Sequence, residues 1–561
     1  MNAHFFGRFQ RFVLPHFFLI VSIVGSRARA ADPIETIGAG DPAALTTPVV
    51  SSPEIWKDPS QPLDARVNDL VGRMSLAEKA SQLRADAAAI PRLGIPAYSY
   101  RNECLHGVVH TGVVATVFPQ AIGMAATWDT ALIHDEADAI ATEGWAGFND
   151  YRSKHNGNSL IHFGVTFYSP NINIVRDPRW GRGQETYGED PFLTGRMAIA
   201  FIRGLQGDDP KYLKTLAGAK HYAVHSGPEP LRTYFDATPS ERDLYETYLP
   251  AFEAAVREGH VGQVMGAYSA LYGVPDCASP FLLTQVLRDR WGFKGFVVSD
   301  GGAILKNFQN HKFTPTAEDS AAVAVKAGCD LFSGNVAGNA QADYRCLGRM
   351  LQKNLLSEKE IDTAVSRTLE VRFRLGFFDP PSMVPWSKIT MADNDTPEHQ
   401  ALALKVARES IVLLKNDGAL PLDRKKIKRI AVVGENAQSV PALLGNYNGS
   451  ASHPVTILDG IKQAAGPDME VTYSAGCPLA LKNDSSNQPL ASLAGEAVAA
   501  ARAADTVIYV GGIDSSLEAE SRKVDYQGFL GGDRTRIELP SPQEDLLKAL
   551  RTTGKPVIFV N

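Results

Sequence analysis

The sequence predicts an α/β protein of two large domains, a (β/α) barrel followed by an open, mostly parallel sheet layered with helices. Three observations predict it. Between about residues 61 and 377, short apolar runs such as "VTFYSPNINIV", "GQVMGAYS", "GFVVSD" and "CDLF" alternate with amphipathic stretches such as "DLYETYLPAFEAAVREG" and "TAEDSAAVAVKAG". That rhythm belongs to parallel strands joined by crossover helices, and at ~300 residues it fits a barrel. Residues 378–398 are proline-rich and interrupt the rhythm as a linker. A second α/β pattern then fills residues 399–561.

Taken in order, the chain opens with Arg8 and Arg11, an apolar stretch from Phe12 to Gly25, and Ala28-Arg29-Ala30. A basic start, a short apolar run and a small-x-small ending read as a secretory signal over residues 1–30, with a secreted or periplasmic protein as the consequence. The run is short for a membrane span and contains Pro15 and His16. Residues 31–60, rich in Pro, Ser and Thr, are expected as an extended lead-in. Ser75 and Glu78 have capping-box spacing ahead of "LAEKASQL", so a helix starts there.

The second domain, 399–561, reads as helix "HQALALKVARESIVLL", strands "RIAVVGENA" and "MEVTYSAGC", helix "LAGEAVAAARAA", strand "DTVIYVGG", helix "SPQEDLLKALRTT" and strand "PVIFVN". The sequence stops on that last strand, which predicts a sheet incomplete at its C-terminus, as in a truncated form of a longer protein.

The composition is that of a soluble globular protein, and a formal charge of −6 gives nucleic acid no basic surface to bind. The cysteines, Cys104, Cys277, Cys329, Cys346 and Cys477, are odd in number and lack metal-type spacing. They predict neither a disulfide framework nor a structural zinc. "VVGENAQ" lacks the glycine spacing of a dinucleotide site.

Barrel enzymes gather their polar residues at the C-terminal ends of strands. Lys220 and His221 open "KHYAVH", Tyr268 ends "VMGAYS", Asp300 ends "GFVVSD", and Arg182 lies in the long loop "RDPRWGRGQETYGEDP". One carboxylate, one imidazole and two cations could converge on a polyhydroxy ligand. Each signal alone is weak: a strand-terminal Asp is more often a helix N-cap than a nucleophile.

Together, "RDPRWGRGQETYGEDP", "KHYAVH", "MGAYSALYG" and "GFVVSD" resemble glycoside hydrolase family three, in order and approximate spacing, over about residues 60–561. The resemblance implies a (β/α)8-type barrel followed by an αβα sandwich, a retaining two-carboxylate mechanism, and no metal or organic cofactor. It implies Asp300 as nucleophile. The acid/base is implied in the loop after "DTVIYVGG", as Glu520 with Glu518 as the alternative, and its carboxyl is expected to be partly desolvated and raised in pKa.

Glu103, Arg182, Lys220, His221 and Tyr268 are implied to bind substrate, with Lys220, His221 and Arg182 supplying donors and positive charge. Asp177, Glu185, Glu189 and Asp190 are expected to hold the long loop. Glu103 before "LHG", and Gly301 where glucosidase-like members carry Trp, both favour a pentose. His106 reads equally as a site residue or a packed one. The loop after His225 lacks the pattern of the hexosaminidase members. The implied partner is an oligosaccharide or aryl glycoside, with xylose ahead of glucose or arabinose as the sugar removed. A non-catalytic sugar-binding fragment is the alternative from a different class. The sequence says nothing of oligomeric state.

Overall fold

The computed structural model describes residues 32–39, 41–50, 53–484 and 490–561, so the signal segment expected at 1–30 lies outside the described residues. The described residues within 31–60 differ from the extended lead-in expected of them. Helical turns form at Pro33–Gly38, Pro42–Leu45 and Ile55–Lys57. Apolar burial explains the difference: Ile37 and Trp56 are buried, Trp56 meeting the Phe378 ring edge-on at 5.8 Å.

The barrel wall is irregular. Two-residue strands β1 (Asp86–Ala87) and β2 (Tyr98–Ser99) pair antiparallel. The regular wall is the parallel set β3 (Gly218–Tyr222), β4 (Gln263–Gly266) and β5 (Phe296–Ser299). Single parallel bridges complete the ring: Asn102 with Phe167, Thr166 with Leu216, Val298 with Leu331, and Arg84 with Phe332. β3, β4 and β5 are buried at every position, as strands covered on both faces must be.

Outside them run helices such as α1 (Thr130–Lys154), capped by Asp129, and α2 (Pro191–Gln206), capped by Asp190. The capping box at Ser75 and Glu78 forms as its spacing predicts. Buried side chains such as Ile140, Phe201 and Ile202 each contribute ~1.5–3 kcal/mol of transfer free energy.

Helix α3 (Pro397–Glu409) lies on the barrel, where His399 Nδ1 meets Glu143 Oε1 at 2.7 Å. The sequence suggested a helix continuing to Leu414. It stops at Glu409, because its buried residues end at Ala403 and Val406 and β-branched Ile411 and Val412 follow, both exposed.

The second domain holds β6 (Arg429–Val433), β7 (Glu470–Ser474), β8 (Thr506–Val510), a short hairpin of β9 (Phe529–Leu530) and β10 (Asp533–Arg534), and β11 (Val557–Val560). Its parallel sheet has the order β7-β6-β8-β11. One face, with Ala431, Val433, Val507 and Tyr509, packs on α5 (Leu490–Ala503) and α6 (Ser541–Arg551). The other, with Ile430, Val432, Ile508 and Val510, packs on α4 (Ile457–Ala465). Helices on both faces make an αβα sandwich. Among the described residues no helix is long and apolar enough to cross a membrane.

Candidate active site

The site begins at the end of β5. Asp300 follows Ser299, and its backbone N–H donates to Gly266 O at 2.9 Å, which ties it to β4. Its Oδ1 accepts the Gly301 N–H at 2.6 Å. Its Oδ2 is buried and has no hydrogen-bond partner among the described residues. One oxygen is anchored and the other is left open. Burial raises the carboxyl's pKa, the Glu520 charge adds to that, and Arg232 and Arg182 oppose it.

β3 brings Lys220 and His221, both buried. Asn173 Nδ2 donates to His221 O at 2.8 Å, which leaves Asn173 Oδ1 as an acceptor. His221 Nδ1, 2.9 Å from that oxygen, is therefore the protonated nitrogen by network assignment. Nε2 then carries the lone pair, facing Arg182 Nη2 at 3.3 Å and Asp300 Oδ2 at 3.7 Å. Burial lowers the His221 pKa well below its usual range, and Arg182, His225 and Lys220 push the same way. This corrects the expectation that His221 supplies donors and positive charge: it is neutral and presents an acceptor.

Arg182 is fully buried and gives a bidentate contact to Glu185, Nε to Oε1 at 3.0 Å and Nη2 to Oε2 at 2.8 Å. A guanidinium this buried needs such a partner. Glu185 thus holds the long loop, as expected, and Asp177 (to the Arg179 N–H) and Asp190 (as helix cap) do likewise. Arg182 Nη1 reaches His225 Nε2 at 3.5 Å and Glu520 Oε1 at 3.7 Å.

Glu520 arrives from the sandwich. Its Oε1 is ion-paired with Arg232 Nη1, and its Oε2 accepts the Tyr447 hydroxyl. Burial alone would raise its pKa, as the sequence reading expected. The guanidiniums of Arg182 and Arg232, with the hydrogen bonds from Tyr447 and Arg232, outweigh it and hold the carboxyl far below its usual range. The expectation of a raised acid/base pKa is corrected: Glu520 is held ionised by these cations.

Glu518 stands elsewhere, among Arg534, Asp533 and Asp514, and burial pushes it up to about 7. Its charged neighbours do not include Asp300, whereas Glu520 acts directly on Asp300.

At the far end, Glu103 Oε2 meets Lys220 Nζ at 3.0 Å. Burial raises Glu103 to about 7, against the pull of Lys220. Lys220 Nζ also lies 4.3 Å from the centroid of the Tyr447 ring, a cation–π contact between the two domains. Tyr268 donates its hydroxyl to Gly301 O at 2.7 Å, and its ring carries the Arg232 guanidinium at 4.7 Å. His106 is packed, with Nδ1 2.8 Å from Phe118 O and Nε2 3.0 Å from Asn446 O. It holds the loop of Tyr447 without reaching Asp300 by any hydrogen bond or ion pair.

The structure therefore brings Asp300, Glu520, Glu103, Arg182, Lys220, His221 and Tyr268 into one connected cluster. Sequence reasoning missed Arg232, Tyr447 and Asn446. Arg232 sits in the loop after "KHYAVH", whose sequence carries no catalytic pattern, and "GNYNG" reads as an ordinary turn.

Comparison with known proteins agrees with this arrangement. Residues 68–371 match the family model described as glycosyl hydrolase family 3 N-terminal domain, and residues 411–561 the model of its C-terminal domain. The chain is 36% identical to a xylan 1,4-beta-xylosidase from Xylanibacter ruminicola, over 90% of this chain and 74% of that one. It is 37% identical to probable beta-D-xylosidase 7 from Arabidopsis thaliana, over 89% and 63%. It is 38% identical to a probable exo-1,4-beta-xylosidase from Aspergillus fumigatus, over 90% and 62%.

The chain thus spans roughly two thirds of the length of these curated relatives. Among solved structures, an exo-beta-xylosidase in complex with a xylobiose aziridine probe matches with a TM-score of 0.80 at 32% identity, covering 92% of this chain and 64% of that one. A β-glucosidase from Erythrobacter marinus matches at 0.76 and 28%, covering 90% and 72%. With both of its domains matched in order, the chain belongs to glycosyl hydrolase family 3.

Proposed function

We propose that the protein is an exported, retaining exo-β-glycosidase that removes xylose from the nonreducing ends of oligosaccharides. The observation that carries this is the meeting of Asp300 and Glu520, from different domains, on one Arg182–His221–Arg232 cluster. Retaining hydrolysis needs two carboxyl groups on opposite sides of the scissile bond.

In this reading, Asp300 Oδ2 attacks the anomeric carbon while Glu520 gives a proton to the departing oxygen. The C–O bond to the aglycone breaks and an ester to Asp300 forms. Glu520, now a carboxylate, takes a proton from water, whose oxygen displaces Asp300 and frees the sugar. Loading the acid requires that the seated sugar part Glu520 from Arg232, since that ion pair favours the carboxylate. The neutral His221 Nε2 and the Glu103–Lys220 pair supply acceptors and donors for sugar hydroxyls.

Two features support xylose. Glu103 is one methylene longer than Asp and is held by Lys220 under the Tyr447 ring, which narrows the space for a hydroxymethyl group. The relatives named above as xylosidases point the same way. The basic-then-apolar leader at 1–30 supports export.

The test is hydrolysis of aryl β-xyloside against aryl β-glucoside, by the parent and by Asp300→Asn. The expected result is preference for xyloside in the parent and loss of most turnover in the variant, with its fold intact. Near-normal activity of Asp300→Asn would sink the mechanism, and preference for glucoside would sink the substrate assignment.

A further inference from the structure

The backbone on either side of Glu520 is held from two directions. The Ala519 N–H donates to Gly532 O at 3.1 Å, within the sandwich. The Ser521 N–H donates to Glu229 Oε2 at 3.1 Å, across the domain boundary. Glu229 is a barrel residue, 1% exposed, eight positions after His221. Its Oε1 accepts the Trp180 indole N–H at 3.0 Å, and its Oε2 lies 3.6 Å from Arg232 Nη1.

Its own backbone is fixed too: the Glu229 N–H donates to Asp533 Oδ2 at 2.8 Å, while Asp533 Oδ1 accepts the Gly181 N–H at 2.9 Å. Asp533 belongs to the hairpin whose Gly532 carbonyl holds Ala519. Two carboxylates, one from each domain, thereby clasp the loop of Glu520 between the barrel loop of Trp180 and Gly181 and the sandwich hairpin.

The packing at this clasp leaves no slack. A Cβ on Gly181 would lie 1.9 Å from Gly532 O, and a Cβ on Gly532 would lie 2.0 Å from Ala519 O. Three backbones pass one another at distances only glycine permits. Both N–H groups flanking Glu520 are thus spent on fixed acceptors, and Glu229 is the one acceptor supplied by the domain that carries Asp300.

We infer that Glu229 is the positioning residue of proton transfer: by holding the Ser521 N–H, it sets where the Glu520 carboxyl stands relative to the bond cleaved over Asp300. This rests on Glu520 being the acid/base. Glu229 touches no reacting atom in this scheme. It acts through the backbone, and misplacement of a reacting group by ~1 Å can cost on the order of 100-fold in rate.

The experiment compares Glu229→Gln, Trp180→Phe, Glu520→Ala and Glu229→Gln/Glu520→Ala on two aryl or alkyl β-xylosides. One has an activated dinitrophenyl leaving group, the other an unactivated alcohol that needs a proton. Thermal unfolding checks each fold. Glu229→Gln is expected to lose about 10- to 100-fold in kcat on the unactivated substrate and less than about 3-fold on the activated one. Trp180→Phe, which removes the N–H on Glu229 together with part of a buried ring, is expected to show a smaller loss of the same kind. In the Glu520→Ala background, Glu229→Gln should change the unactivated substrate no further, because residues acting on one step are not additive.

Equal losses of Glu229→Gln on both substrates, no loss on either, or additive losses in the double variant would each overturn the positioning role. If Glu229→Gln fails to fold, Trp180→Phe decides by the same split. If Glu520→Ala itself shows no leaving-group split, the acid/base assignment falls, and the role of Glu229 falls with it.

Discussion

The carboxyl of Glu518 is pushed up to about 7 from an ordinary 4.5 by burial, with the Asp533 and Asp514 charges adding to that and the Arg534 charge opposing it. Its sign follows directly. A carboxyl whose folded pKa exceeds its unfolded one adds no penalty below pH 4.5, and destabilises as pH rises through 7. Glu518→Gln lacks that penalty. It should be more stable than the parent at pH 8, by up to about 3 kcal/mol and seen as a higher unfolding temperature, and equally stable near pH 4. Its leaving-group dependence should be unchanged.

Glu520 bears on the titration of Asp300. Its charge helps to raise Asp300, so Glu520→Gln should move the acid limb of kcat/KM toward lower pH, measured on activated glycosides. An unmoved limb would mean that another group sets it. In the proposed function Glu103 bears on selection. Glu103→Asp opens one methylene's worth of space, and the glucoside-to-xyloside ratio should rise by about 10- to 200-fold at most.

Among elements, strand ends were legible and loop encounters were not. Asp300, Lys220 and His221 could be read because apolar runs of strand length stop at them, and the structure indeed sets them at β5 and β3. Arg232 and Tyr447 could not be read. Each enters the site only because two distant loops meet, and no periodicity marks such a meeting. Protonation escaped for the same reason: whether burial or charge governs Glu520 depends on Arg182 and Arg232, 338 and 288 positions away in sequence.

The Gly181–Gly532 approach makes a prediction at this scale. Gly181→Ala should part the barrel loop from the hairpin and cost about 1–3 kcal/mol, seen as a lower unfolding temperature. Gly72→Ala is the control. Gly72 ends a helix with open space about its Cβ position, and the change should leave stability level or raise it.

For the whole molecule, the barrel and sandwich are joined by polar contacts that are also parts of the site. Asp533 spans the boundary through Gly181 and Glu229, and His106 and Gln120 hold Asn446 O from the barrel side. Calorimetry should therefore find the two domains of the parent unfolding in one transition. Asp533→Asn, which weakens both bonds of the clasp, should split it into two. A parent that already shows two transitions would mean that the apolar cores, and not this boundary, set the cooperativity.

Lys220 belongs to the floor of the site, while the Tyr447 ring above it and Glu520 both belong to the roof. The two roof residues are joined by the Tyr447 hydroxyl on the Glu520 carboxylate, so they are expected to move together. On the proposed mechanism, an excursion that lifts the ring from Lys220 would also withdraw the group that activates water. A sugar esterified to Asp300 would then be exposed to solvent but not hydrolysed, and would wait for the roof to return. Access for an incoming alcohol or water would thereby be tied to the same closure that makes it reactive, and on the proposed mechanism a bulky acceptor that props the roof open would arrest the enzyme in its covalent state.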